Sequence, residues 1–197
     1  MTRLQRALLK LQADLRHLGL RWALIGGVAV SLRSEPRTTR DLDVAVAVTG
    51  NRDAESTVRD FLSRGYRLEA MREHLELDRL VSVGMTADAK DVRGVIVDLM
   101  FASSGIEEEI VAAAEMLDVL PGVSAPVATT AHLLALKTLA GREKDVVDFA
   151  TLVQFASRRD LLAAREALEL ISRREYDRGK DLQTEFVKLL ERAPREI

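Results

Sequence analysis

Cysteine is absent from the 197 residues. Disulfides and thiolate metal sites are therefore excluded, which fits a reducing compartment, and a cytoplasmic location is expected. No apolar run approaches 18 residues, so no membrane span is expected. The first twenty residues, MTRLQRALLKLQADLRHLGL, are charged throughout and lack the continuous apolar core of a signal peptide. An excess of one charge is also missing: the net charge is −2 and the pI is near 6.0. That removes a global basic field as a mark of nucleic-acid binding, although a local patch stays compatible with it. His17, His74 and His132 show no ligand spacing and are assigned no chemistry. There is no internal repeat and no low-complexity segment.

What is present is ordinary for a soluble globular chain, with 47 % hydrophobic and 30 % charged residues. The length suits one domain, or one core with a helical appendage. Leu4, Leu8, Leu11, Leu15 and Leu18 step by four and three, the spacing of one helical face. So short a seam reads as a helix packed on its own domain, with a dimerising coiled coil as the alternative. Strands are expected over 21–25, 41–48, 66–71, 80–86 and 92–101, with an uncertain polar stretch between the third and fourth. Two short extended pieces are expected around Pro121-Gly122. Helices are expected over 28–34, 52–64 and 106–116, and from Thr129 onward the pattern turns helical, over 131–140, 142–155, 160–172 and 176–190. The chain thus divides into a mixed half, residues 1–128, and a helical region, 129–197, packed on it.

The segment from Ala23 to Val48 organises the rest. An apolar run ends in Gly26-Gly27, an amphipathic stretch and a basic turn follow, and a second apolar run carries Asp41 and Asp43. Residues two apart on a strand share a face, so the two carboxylates project together. Like charges side by side repel and are rarely buried unpaired. A divalent cation resolves this, and Mg²⁺ takes one or two protein carboxylates and completes its shell with water and phosphate. The alternative is a pair of surface acids facing Arg37 and Arg40. Glycine permits close backbone approach, and a helix N-terminus attracts anions. Glycines and aspartates together would hold a nucleoside triphosphate. Thr39 donates to a phosphate or caps the strand entry; Arg40 and Arg37 bind phosphate or acceptor, or offset the acids.

Gly26-Gly27 followed by Arg37, Thr39, Asp41, Leu42 and Asp43 resembles the signature of the DNA polymerase β-like nucleotidyltransferases. The likeness is nearest to the AbiEii-type toxins and other minimal nucleotidyltransferases. It extends from Leu24 to Asp148. It implies an α+β (α/β-type) fold, a short mixed β-sheet flanked by helices with a C-terminal helical bundle. It also implies transfer of a nucleoside monophosphate from an NTP to an acceptor hydroxyl, with release of pyrophosphate and two Mg²⁺ ions during turnover.

Asp98 lies within VIVDLMF and matches the third acid of the family triad, which activates the attacking hydroxyl and shares the metal. The plainer reading pairs it with Arg93; Asp88 and Asp91 lie in more polar surroundings. LLALKTLAGREKDVVDFATL resembles the element that follows the family core. By that likeness Lys137 reaches the triphosphate and Asp145 lies at the site edge. By spacing alone, Lys137 is a solvated helix residue, and Lys144 with Asp148 an i,i+4 pair. The resemblance further implies a toxin with an antitoxin protein as partner, acting on acceptor RNA such as tRNA. Two alternatives stand beside it: a small-molecule, aminoglycoside-type nucleotidyltransferase, and a non-catalytic nucleotide-binding or interaction module.

Overall fold

A computed structural model describes residues 1–74 and 79–193. The polar stretch read between the third and fourth strands lies partly outside the described residues, at 75–78, as does the end of the helical region, at 194–197. Helix α1, Arg3–His17, opens on a capping box between Thr2 and Gln5 and buries Leu8, Leu11 and Leu15. Its leucine face is thus spent on its own domain. The next elements are β1 (Trp22–Ile25), α2 (Gly26–Arg33), β2 (Leu42–Val46) and α3 (Asn51–Ser63). They are followed by β3 (Tyr66–His74), β4 (Arg79–Ala87), β5 (Ile96–Met100) and α4 (Glu107–Ala112). A hairpin of β6 (Glu115–Leu120) and β7 (Val123–Val127) completes the sheet.

The described strands form one seven-stranded mixed sheet in the order β3-β4-β5-β2-β1-β7-β6. β2 runs parallel to β5 and antiparallel to β1, and the two ends of the sheet are antiparallel hairpins. The central strands are continuous apolar runs because helices cover them. Leu42, Val44, Ala45 and Val46 are fully buried. The edge strand β3 is exposed apart from Tyr66.

Helices α5 (Thr130–Ala140), α6 (Glu143–Phe155), α7 (Arg158–Arg173) and α8 (Leu182–Arg192) follow. Gly141, at φ 65°, ends α5 in the left-handed conformation that glycine favours. Phe149 of α6 meets Phe186 of α8 edge to face, with ring centroids 5.5 Å apart. The buried side chains of these helices and of the sheet form one continuous cluster. Among the described residues no helix is long and apolar enough to cross a membrane.

Four expectations shift. The helix expected over 106–116 is only Glu107–Ala112, because β6 recruits Glu115 onward as the hairpin partner of β7. The last helix starts at Leu182 behind an Asp181 cap, not at Tyr176. Residues 92–95 form a turn, and β5 starts at Ile96. Gly26 and Gly27 are the first residues of α2 itself, not a turn ahead of it.

Candidate active site

Strand register gathers the acids. One row crosses the sheet as Ala70, Gly84, Asp98, Asp43 and Ile25, from β3 to β1. Asp43 and Asp98 are therefore side by side on neighbouring strands, about 4.8 Å apart at the backbone. Asp41 sits one residue before β2 begins, so its position owes to the loop and not to strand alternation. All three acids line one cavity of about 410 Å³. A second row on the same face, Arg72–Ser82–Met100, lines it too, two residues further along the strands.

Three glycines clear the space. Gly26 has φ +61°, and a Cβ there would fall inside the Asp43 carboxylate. A Cβ on Gly27 would stand 2.7 Å from Thr39 Oγ1, and one on Gly84 2.9 Å from Asp98 Oδ1. The Gly27 backbone N–H favours the charged form of the Asp43 carboxylate. Gly84 carries no signal in the sequence, because its partnership with Asp98 depends on how β4 registers with β5.

The acids are electrostatically uncomfortable. Burial raises the pKa of Asp43, the Asp41 charge adds to the rise, and the Gly27 N–H, Lys137 and Lys144 oppose it. Asp98 is pushed up to about 6, by burial first and then by the charges of Asp43 and Asp41, against Arg72 and Lys144. Arg93, the partner weighed for Asp98, pairs with Asp88 instead. Among the described residues no three acids close into a ready cation cage. Mg²⁺ does not need one, since it is held by one or two carboxylates and completed by substrate phosphates. Adjacent carboxylates with raised pKa values, beside open space, fit that donor set.

Cations line the same cavity. Arg37, Arg40, Arg72, Lys137, Arg142 and Lys144 line the cavity. Three of them are tied down. Lys137, 7 % exposed, donates to Asp145 Oδ1 at 2.8 Å and lies 2.7 Å from Asp148 Oδ2. Arg37 grips Asp148 through Nε at 2.8 Å and a terminal nitrogen at 2.9 Å. Arg142 Nε donates to Asp145 Oδ2 at 2.6 Å. Burial alone would raise the pKa of Asp145, but bonds from Arg142 and Lys137 reverse this and lower it. Arg40, Arg72 and Lys144 have no carboxylate partner among the described residues.

The structure therefore brings Gly26, Gly27, Thr39, Arg40, Asp41, Asp43, Asp98 and Lys137 to one cavity. Asp145, expected at its edge, does not line it; it is fully buried beneath Lys137 and Arg142. Lys137 is not a solvated helix residue. Lys144 does not pair with Asp148 and faces the cavity instead. Arg72 comes from the edge strand, in a stretch whose sequence pattern was uncertain.

Comparison with known proteins adds to this geometry. The family model "Nucleotidyl transferase AbiEii toxin, Type IV TA system" matches residues 8–196. No curated protein matches the chain in sequence. An antigenic nucleotidyltransferase-like protein from Paracoccidioides brasiliensis superposes with a TM-score of 0.53 at 16 % identity, covering 90 % of this chain and 88 % of its own. The lincosamide antibiotic adenylyltransferase LnuA, solved with lincomycin bound, superposes with a TM-score of 0.51 at 12 % identity, covering 77 % of this chain and 97 % of its own. At such identities the likeness shows a shared fold.

Proposed function

The chain belongs to the AbiEii nucleotidyl transferase toxin family, and on that premise we propose that its cavity moves a nucleoside monophosphate from an NTP to a hydroxyl of an RNA acceptor such as tRNA. The observation that carries the site assignment is the register pairing of Asp43 with Asp98 across a floor cleared by Gly26 and Gly84.

Asp41, Asp43 and Asp98 would hold Mg²⁺. Bound there, Mg²⁺ neutralises charge on the triphosphate and acidifies a hydroxyl. Gly26 and Gly27 let the triphosphate approach the start of α2, where unpaired N–H groups favour anions. Lys144 and Arg40 are unpaired among the described residues and meet its charge, and Thr39 Oγ1 stands beside Gly27 to donate. Lys137, held by two carboxylates, shapes this wall and positions it. Asp98 accepts the proton of the attacking hydroxyl. The new bond forms between the acceptor oxygen and the α-phosphorus, the bond to the β-phosphate oxygen breaks, and pyrophosphate departs. The protein contributes positioning and electrostatics, as in phosphoryl transfer generally.

Arg40, Arg72 and Lys144, which have no carboxylate partner among the described residues, give the cavity positive charge that favours an acceptor carrying phosphate over a polycationic aminoglycoside. A small-molecule acceptor, such as the lincomycin bound by LnuA, is the second reading, and rests on fold likeness. The family description, of a toxin in a toxin–antitoxin system, supports a paired antitoxin as partner. Purified protein with Mg²⁺ and labelled nucleotides will label total tRNA, or else a member of a small-molecule panel, and Asp43→Ala will abolish the label. Labelling that survives Asp43→Ala overturns the assignment, and nucleotide binding without any transfer identifies a non-catalytic module.

A further inference from the structure

The loop between α2 and β2, residues 35–41, reads EPRTTRD. Pro36 is its one apolar side chain, and Glu35, Pro36, Arg37, Thr38 and Arg40 are exposed. A segment with so few buried apolar contacts opens readily unless polar bonds tie it down. Yet this loop brings Thr39, Arg40 and Asp41 to the cavity. Asp41 also lies ahead of β2, outside the strand pairing that fixes Asp43 and Asp98. The loop's local bonds are weak ones. The Arg37 backbone N–H donates to Ser31 Oγ at 3.3 Å, and Thr39 Oγ1 donates to the Asp41 carbonyl at 3.4 Å.

One side chain reaches out of it. Arg37 Nε lies 2.8 Å from Asp148 Oδ1, and Nη2 donates to Asp148 Oδ2 at 2.9 Å, a two-pronged fork on a single carboxylate. Among the described residues this is the only polar contact from the loop to a residue beyond the α2–β2 segment. Asp148 is a fixed post. It is 3 % exposed, precedes the fully buried Phe149 on α6, and holds a second cation, Lys137, at 2.7 Å. The third guanidinium nitrogen of Arg37 lies 3.5 Å from the Thr38 carbonyl, so the group is spent on protein and not left for a ligand. The fork also reaches the start of α2. A Cβ on Gly27 would stand 3.0 Å from Arg37 Nη2 and 2.7 Å from Thr39 Oγ1.

We propose that Asp148 is a positioning residue: through Arg37 it clasps loop 35–41 to α6 and so sets Thr39, Arg40 and Asp41 along the cavity. The effect on nucleotide binding rests on the nucleotidyl-transfer reading of the cavity; the clasp itself does not. Arg37 then acts on the loop and does not bind phosphate. The helical region thereby holds one of the three acids in place, although none of them lies on it.

The test has one arm without ligand and one with it. Nitrogen-15 relaxation of the full, metal-free chain reads the backbone order of Thr38, Thr39 and Arg40. Order parameters are expected at about 0.85 in the wild type and below about 0.6 in Arg37→Gln and in Asp148→Asn. Unchanged order in Arg37→Gln, a change at an exposed residue, overturns the clasp even if Asp148→Asn does not fold. Calorimetry with ATP and Mg²⁺ separates action through the loop from direct contact with phosphate. Each single variant is expected to weaken binding about tenfold, the usual cost of losing a group that orients a ligand, and the double variant is expected to lose no more. Losses that add, or a loss confined to Arg37→Gln, make Arg37 a phosphate ligand and overturn the positioning role. Arg37→Lys keeps the charge without the fork and is expected to bind ATP as weakly as Arg37→Gln. Wild-type affinity in Arg37→Lys overturns the role as well. A wild-type chain that binds no ATP with Mg²⁺ overturns the nucleotidyl-transfer reading instead, and the relaxation arm still decides the clasp.

Discussion

Gly26 surrenders the space of its Cβ to the carboxylate of Asp43. The strand end and the first acid of β2 interlock, so the glycine is needed twice, for its φ of +61° and for that space. Gly26→Ala is therefore expected to displace Asp43. A shift near 1 Å at reacting groups costs about 100-fold, which is the fall in kcat/KM expected from a pyrophosphate-release assay. Gly19→Ala is the control. Gly19 has φ +65° but open space around its Cβ position, so its substitution should cost roughly 1–2 kcal/mol of stability and leave kcat/KM unchanged.

Asp98→Asn should inactivate the enzyme yet stabilise the metal-free protein. The folded-state pKa of Asp98 is raised from 3.8 to about 6. A raised carboxylate pKa means that the folded state binds the proton more tightly than the unfolded chain. The penalty is absent below pH 3.8, accumulates up to about 6, and is full above that. At pH 7.5 without metal, Asp98→Asn should gain about 1 kcal/mol, less than full linkage gives because the half-exposed group is screened by water. At pH 3.5 the gain should vanish. Added Mg²⁺ should reverse the order at pH 7.5 by stabilising the wild type alone. Thermal melts at the two pH values, with and without EDTA, check this.

Local signals made half of the site legible and long-range register hid the rest. Gly26, Gly27, Asp41 and Asp43 fall within one short segment, and Asp98 stands out as a charge inside an apolar run. Gly84 and Arg72 do not stand out, because each matters only through the strand it pairs with. The bond from Arg37 to Asp148 spans 111 positions, and no spacing rule reaches that far. The early end of α4 follows from hairpin pairing of β6 with β7, without any proline or glycine at Ala113–Ala114 to announce it. The late start of α8 was readable: Asp181 caps it, and Gly179 precedes that cap.

The two lysines of the cavity should separate stability from binding. Lys137 holds Asp145 and Asp148 within the buried angle between α5 and α6, at 2.8 and 2.7 Å. A fully orphaned buried charge costs about 3–5 kcal/mol. Here Arg142 and Arg37 keep partial hold of the two acids, so Lys137→Met should cost about 2–3 kcal/mol. That lowers Tm by roughly 5–10 °C for a chain of this size. Lys144 is exposed and without a carboxylate partner among the described residues, so Lys144→Ala should leave Tm within about 2 °C. It should raise KM for the NTP roughly tenfold or more, the worth of one charge-assisted bond to phosphate. Differential scanning calorimetry alongside steady-state kinetics compares the pair. If Lys137→Met melts like the wild type while Lys144→Ala binds NTP normally, the buried lysine is the phosphate ligand and the division between them is reversed.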